Sequence, residues 1–324
     1  MKFIIKTSIA LVVLASFTAN AGQSIDAQLP AKVGDSVDIE HINGIAKIKG
    51  WDKALVQVQG ELDDKAQDFI FKRTSGGIKI EVEMPHRYRK NHNNKQKGDN
   101  LVIMVPHESR VHYETINAQV EVRDIQKAVS VESVNGDITL QKISGKIKIE
   151  TVNGDIRSSG LAGAIRVETV NGDFRNTSSQ ADKLYIETVN GHIKTDIDSS
   201  DVRVGSVNGN IELALQDITR LELESVNGRI AASFNLSKDG DVAASSVGGS
   251  IALTMQEKVS ASFDIEAHAG GMIVNHITNE SVQKSKYGPD RWLKFSTGDA
   301  SGKVEISTVN GKITLDKHGS KSNR

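Results

Sequence analysis

Seven asparagines, at positions 117, 135, 153, 171, 190, 208 and 227, follow one another at intervals of 18, 18, 18, 19, 18 and 19 residues. Six of them sit in one pentapeptide pattern: Val134-Asn135-Gly136-Asp137-Ile138, Val152-Asn153-Gly154-Asp155-Ile156, Val170-Asn171-Gly172-Asp173-Phe174, Val189-Asn190-Gly191-His192-Ile193, Val207-Asn208-Gly209-Asn210-Ile211 and Val226-Asn227-Gly228-Arg229-Ile230. Gly248-Gly249 and Gly270-Gly271 continue the array at looser intervals of 21 and 22, and Asn310-Gly311 closes it after 40 more. Forty residues hold two periods of 20, so one poorly marked repeat is expected in that gap. Near the start, Ile42-Asn43-Gly44 is an outlying copy, and Ile116-Asn117-Ala118 begins the main array. A fixed period of this size means stacked units, none of which can bury its apolar face alone.

Each unit reads as strand, turn, strand, turn. Weaker glycine motifs at Ser144-Gly145, Ala162-Gly163 and Ser301-Gly302 mark the other half of the period. Two strands of about five residues and two turns of about four account for one unit. Ile147, Ile149 and Thr151 share one parity and Lys146, Lys148 and Glu150 the other, the alternation of a half-buried strand. Asn-Gly then supplies the turn, because both residues tolerate positive φ.

Two all-β architectures fit. One is a parallel β-solenoid with two strands per rung, 18–22 residues per rung and about 4.8 Å between rungs. The other is an antiparallel β-meander, since Asn-Gly is also a strong hairpin signal. Stacked rungs require identical residues at identical positions and a meander does not, so the solenoid is preferred. About ten rungs from Asn117 to Asn310 make a rod on the order of 50 Å long. The valine before each asparagine falls on the charged parity. The chain is expected to bend there and bury it; the alternative is an outer valine row forming an association stripe.

Composition agrees with narrow, regular layers. Aromatics are 4% and prolines four, so Ile, Val and Leu must fill the core. Residues 1–21 carry Lys2 and Lys6, a short apolar run and an Ala19-Asn20-Ala21 end, which is a secretory signal peptide cleaved before Gly22. The apolar run is shorter than the roughly 20 residues of a membrane span, and none is expected after cleavage. The absence of cysteine removes disulfides, thiolate metal sites and cysteine nucleophiles. Without Lys2 and Lys6, 38 of the 40 basic residues remain against 41 acidic ones, a balance that predicts no nucleic-acid partner. Residues 22–317 read as one β-repeat domain: 22–115 irregular first rungs and a cap, 116–273 regular repeats, 274–317 an insertion and the last rung. Residues 318–324 read as a disordered tail.

Catalytic and metal constellations are weak. Asp137, Asp155 and Asp173 share one slot in successive units, but His192, Asn210 and Arg229 continue it, so surface carboxylates are favoured over a cation site. Glu132, Glu150, Glu168 and Glu187 form a similar row, yet identical repeated environments cannot split two pKa values as acid–base catalysis requires. No nucleophile elbow, phosphate-binding glycine motif or His-x-x-x-His spacing is present in the sequence, and no cofactor is expected. Candidate partner contacts lie where the repeat fails: Arg87, Arg89 and Lys90 in the basic stretch 86–100, and Tyr287 and Trp292 in the insertion 275–300.

Asn43-Gly44 leading to Gly50-Trp51-Asp52, then Val56-Gln57-Val58-Gln59-Gly60, then Val131-Glu132-Ser133-Val134-Asn135-Gly136-Asp137-Ile138 and its copies, resemble a bacterial β-strand-repeat family, a domain of unknown function labelled adhesin-like. The resemblance spans about residues 30–317. It implies a right-handed β-helix-like fold in an exported or membrane-attached protein and supplies no functional residues. The expected role is a non-catalytic structural or adhesin-like module of the periplasm or cell surface, binding a glycan, envelope polymer or envelope protein. A polysaccharide-active β-helix enzyme and an envelope sensor touching its partner through 275–300 are the alternatives.

Overall fold

A computed structural model describes residues 23–85 and 98–319, and every regular element among them is a β-strand. The chain enters through β1 (Ser24–Pro30), β2 (Ser36–Trp51), β3 (Leu55–Glu61), β4 (Asp68–Arg73), β5 (Gly77–Glu83) and β6 (Asp99–Pro106). The regular array runs through β7 (Arg110–Arg123), β8 (Ala128–Asn135), β9 (Ile138–Gln141), β10 (Ser144–Asn153), β11 (Ile156–Ser159), β12 (Ala162–Asn171) and β13 (Phe174–Asn190). It continues through β14 (Ile193–Ser199), β15 (Asp201–Asn208), β16 (Ile211–Asn227), β17 (Ile230–Ser246) and β18 (Ile251–Met255). Last come β19 (Ala261–Ala267), β20 (Met272–Asn275), β21 (Gln283–Lys284), β22 (Arg291–Ser296), β23 (Gly302–Thr308) and β24 (Lys312–Lys317).

The array is a parallel solenoid. Each rung lays a strand on a first face, turns at Asn-Gly and lays a second strand on a second face. On the first face β10 pairs parallel with β8 and β12, with Ile147 opposite Ile165, Thr151 opposite Thr169 and Asn153 opposite Asn171. On the second, β11 pairs parallel with β9 and β13, with Ile156 between Ile138 and Phe174. The turn therefore makes no hairpin; it carries the chain round a corner so that the next strand stacks on its equivalent one rung back.

The glycine of each turn answers to that stacking. A Cβ on Gly154, Gly172, Gly191, Gly209 or Gly228 would lie 1.9–2.1 Å from the carbonyl oxygen of the turn glycine one rung earlier. The asparagines, in contrast, have ordinary negative φ, so tolerance of positive φ does not explain them.

The two faces enclose an aliphatic core, with Ile147, Ile149, Ile156 and Val167 essentially inaccessible. Burying each such side chain contributes about 1.5–3 kcal/mol, which offsets the chain entropy lost on ordering. Few aromatics fit so narrow an interior; Tyr113, Phe174 and Phe234 are the largest that are fully enclosed.

Both ends depart from sequential order. β2 lies between β7 on one side and β5 and β6 on the other, although β5 and β6 come later in the chain than β2. The antiparallel pairs β1–β3, β3–β6 and β4–β5 finish that end. At the other end, β23 and β24 stack between β17–β18 and β19–β20. The expected extra rung between Gly270 and Asn310 is not formed. That stretch holds an antiparallel arm, β21–β22 against β19, and the chain then turns back to insert its last rung. The arm follows from the loss of glycine-pair punctuation after Gly270-Gly271, which leaves residues 275–300 no corner to turn.

Candidate functional site

The strand before each corner keeps alternating through the valine. In β10, Ile147, Ile149 and Thr151 point inward, Glu150 and Val152 outward, and the bend comes one residue later at Asn153-Gly154. The expected burial of the valines is thereby overturned. Val134, Val152, Val170, Val189, Val207 and Val226 are 39–41% exposed and stand in a row along the corner. The bend is displaced because only the glycine can approach the neighbouring backbone, so parity resets there and not at the valine.

Two positions earlier on the same outward parity runs the glutamate row, about 7 Å away along the strand. Together the rows wall a groove of about 1110 Å³ that runs from Glu114 and Thr115 to Ser307 and Val309. Its base is formed by the intervening Ser and Thr positions, whose side chains are buried at the corner. The Oγ atoms of Thr151, Thr169, Thr188, Ser206 and Ser225 are enclosed without a protein partner.

One wall is apolar and the other acidic. Lys148 bridges Glu132 at 3.4 Å and Glu150 at 2.8 Å. Its hydrogen bond to Glu150, reinforced by Glu132, holds the ammonium above the usual lysine range. Arg166 pairs with Glu168 and lies 4.0 Å from the Tyr185 ring centroid. A second depression of about 340 Å³ continues from the first, sharing Glu224, Ser245 and Ser307, and adds Glu222, Asp264, Glu266 and Glu305.

Beyond the valines the corner carries two ladders. Each asparagine Nδ2 donates to the Oδ1 one rung back, Asn135 to Asn117 at 2.7 Å, Asn153 to Asn135 at 2.9 Å and so on to Asn227. One slot on, Asp137, Asp155 and Asp173 accept the backbone N–H of the next rung's slot residue at 2.9–3.1 Å. His192 Nδ1 and Asn210 Oδ1 continue the ladder, which explains why the slot accepts Asp, His and Asn alike. Arg157 bridges Asp137 and Asp155, and Arg175 lies 2.7 Å from Asp173. These carboxylates hold backbone and guanidinium; among the described residues no group of three His, Asp or Glu is placed to hold a metal ion.

The sequence candidates fall apart in space. Asn135-Gly136 through Asn227-Gly228 line the corner beside the groove. Residues 1–22, Arg87, Arg89, Lys90 and residues 320–324 lie outside the described residues. Tyr287 is 89% exposed, with Lys286 Nζ 5.1 Å from its ring centroid. Trp292 is half-buried on β22, opposite Glu266, and donates its indole N–H to Gln283 at 2.7 Å. Neither belongs to the main groove. Sequence reasoning also passed over a buried trio near the first corner: His41 Nδ1 lies 2.8 Å from Tyr113 Oη and Nε2 3.0 Å from Asp99. Asp99 further accepts the Asp63 N–H at 2.6 Å, and burial pushes the Tyr113 phenol above the usual tyrosine range. In register His41 occupies the slot of Thr115, the signal that could have found it.

The fold and its corner define an all-β, solenoid-like repeat protein whose long surface groove is built by the repeat itself. The sequence profile of the Toastrack DUF4097 family, a domain of unknown function, matches residues 48–316. The chain belongs to that family. Among proteins with curated descriptions, none matches. Solved structures with similarity include a candidate cell adhesion protein of Clostridium sporogenes, 9% identical, covering 91% of this chain and 100% of that one, TM-score 0.21. Candidate adhesins of Bacteroides fragilis and Parabacteroides distasonis are 12% and 8% identical, cover 90% and 91% of this chain and 97% of each of theirs, with TM-scores of 0.36 and 0.33. Among the described residues no helix is long and apolar enough to cross a membrane.

Proposed function

We propose that this chain is an exported, non-catalytic, adhesin-like module of the bacterial cell envelope that holds an envelope partner along the Val–Glu groove. The observation that carries this reading is the exposed valine row: a contiguous apolar stripe that the fold itself does not bury. The repetition of one environment from rung to rung supports binding of something long over turnover at one point, because catalysis needs unlike neighbours. The N-terminal residues 1–21, read as a signal peptide, support export.

A photo-crosslinking residue in place of Val170 tests the site in intact cells, with the same residue at Thr139 on the second face as its control. A discrete adduct from position 170 and none from 139 is expected. No adduct at 170, or equal adducts at both, overturns the reading. N-terminal sequencing of the envelope fraction is expected to begin at Gly22.

A further inference from the structure

We infer, resting on that reading of the groove, that its occupant is a cationic amphipathic polypeptide segment. The two walls ask for apolar and positive groups side by side on most rungs, those of Glu132, Glu150, Glu168, Glu187 and Glu224. Lysine and arginine meet this with one side chain, whose methylene stem lies on valine while the charged head reaches a carboxylate. Valine recurs at each step of about 4.8 Å from Val134 to Val247, and glutamate stands beside it at Glu132, Glu150, Glu168, Glu187 and Glu224, with Gly205 and Ser245 in that slot on the other rungs, so recognition is of charge and apolarity more than of sequence.

Three features separate this occupant from others. The groove has no aromatic lining, so a sugar ring finds no flat surface to stack on. The strand backbones beneath it are already paired on both sides, as β10 is with β8 and β12, so a peptide cannot join as an added strand and must be held through side chains. Carboxylates also outnumber their permanent cationic partners along the axis. In the middle, Lys148 and Arg166 offset two of the four glutamates Glu132, Glu150, Glu168 and Glu187. At the far end five carboxylates, Glu222, Glu224, Asp264, Glu266 and Glu305, surround the small residues Ala243, Ser245 and Ser307. Arg203, Lys294 and Lys303 are their permanent cationic partners, and Glu224 has none among the described residues. Both stretches thus keep two more carboxylates than cations, so the occupant's basic groups are called for along the whole groove, beside its apolar groups on the valines.

The test is fluorescence anisotropy on the whole exported chain with four labelled probes. These are a peptide alternating lysine and leucine, its glutamate–leucine counterpart, an oligolysine, and a cationic amino-sugar oligomer. The lysine–leucine peptide is expected to bind, more weakly as salt rises, and the other three to bind at least about tenfold more weakly. Val152→Ser/Val170→Ser/Val189→Ser and, separately, Glu222→Gln/Glu224→Gln are each expected to weaken it about tenfold. All five side chains point outward, and circular dichroism checks that each variant is folded. Preference for the amino-sugar oligomer, binding of oligolysine equal to that of the lysine–leucine peptide, or indifference to both variants overturns the proposal. If no probe binds while the Val170 crosslink persists, the groove is a binding site for another occupant and only this inference fails; if the crosslink is also absent, both readings fail.

Discussion

Replacing Gly172 by alanine tests why the turn glycine recurs. The new Cβ would lie 2.0 Å from the Gly154 carbonyl oxygen and 2.7 Å from its carbon, both backbone atoms. Ordinary contact begins at 3.4 Å, so the corner must open by about 1.4 Å, a distance well beyond what a well-packed stack absorbs without strain. Opening on that scale breaks the hydrogen bonds that hold this corner to its neighbours. These run from Gly154 N–H to Asn171 at 3.0 Å, from Gly172 N–H to Asn190 at 3.0 Å and from Phe174 N–H to His192 at 2.9 Å. At about 1 kcal/mol each, the expected loss is about 2–4 kcal/mol. Gly76→Ala is the control, because nothing lies within 4 Å of its would-be Cβ. Urea unfolding followed by circular dichroism reads both, and midpoints are compared because stacked repeats can lose single-step cooperativity. Gly172→Ala unfolding within about 0.5 kcal/mol of Gly76→Ala would refute the stacking argument.

Other consequences are as direct. His41→Ala leaves Asp99 buried without its imidazole and is expected to cost about 3–5 kcal/mol; a thermal scan showing simple additivity with Asp99→Ala would show that the two do not interact. Lys148 has a folded pKa raised above 10.5, so its contribution to stability is full below that pH and is lost as pH climbs through the folded value. An NMR titration placing its midpoint at or below 10.5 refutes the bridge. The register that pairs Thr308 with Ser246 and Ala267, carried two residues on, sets Gly248 and Ala269 beside Asn310, where Asn153 and Asn171 each have asparagines on both sides, and among the described residues the Asn310 side chain joins no ladder. Peptide mapping of aged protein is expected to find deamidation there before Asn153 or Asn171; the reverse order removes the protective role of the ladder.

The repeat made the solenoid legible, since a period of 18 with fixed residues leaves little else to build. What it hid was the work of each residue. Asn-Gly reads equally as a hairpin and as a corner, and the distinction is a matter of whether the next strand finds its partner one rung back. The valine row was visible as parity in Glu150, Thr151 and Val152, but the bend's place depends on the contact between Gly154 and the rung before it, which no local pattern contains. The reordered ends were invisible for a similar reason: a rung inserted between two others matches them in spacing and strand pattern. His41 acquires meaning only once its register opposite Thr115 is known.

The placement of β23 and β24 bears on how such a chain can be completed. A polypeptide emerging N-terminus first presents β19 and β20 before the rung on which they rest exists. They cannot dock on β17 and β18 without occupying the place reserved for the C-terminal residues. Until residue 317 is delivered, the segment from 261 to 300 has no native partner strand except its own antiparallel arm. The final rung thus acts as a latch: a chain that ends early is left with an unfastened end, open to proteases.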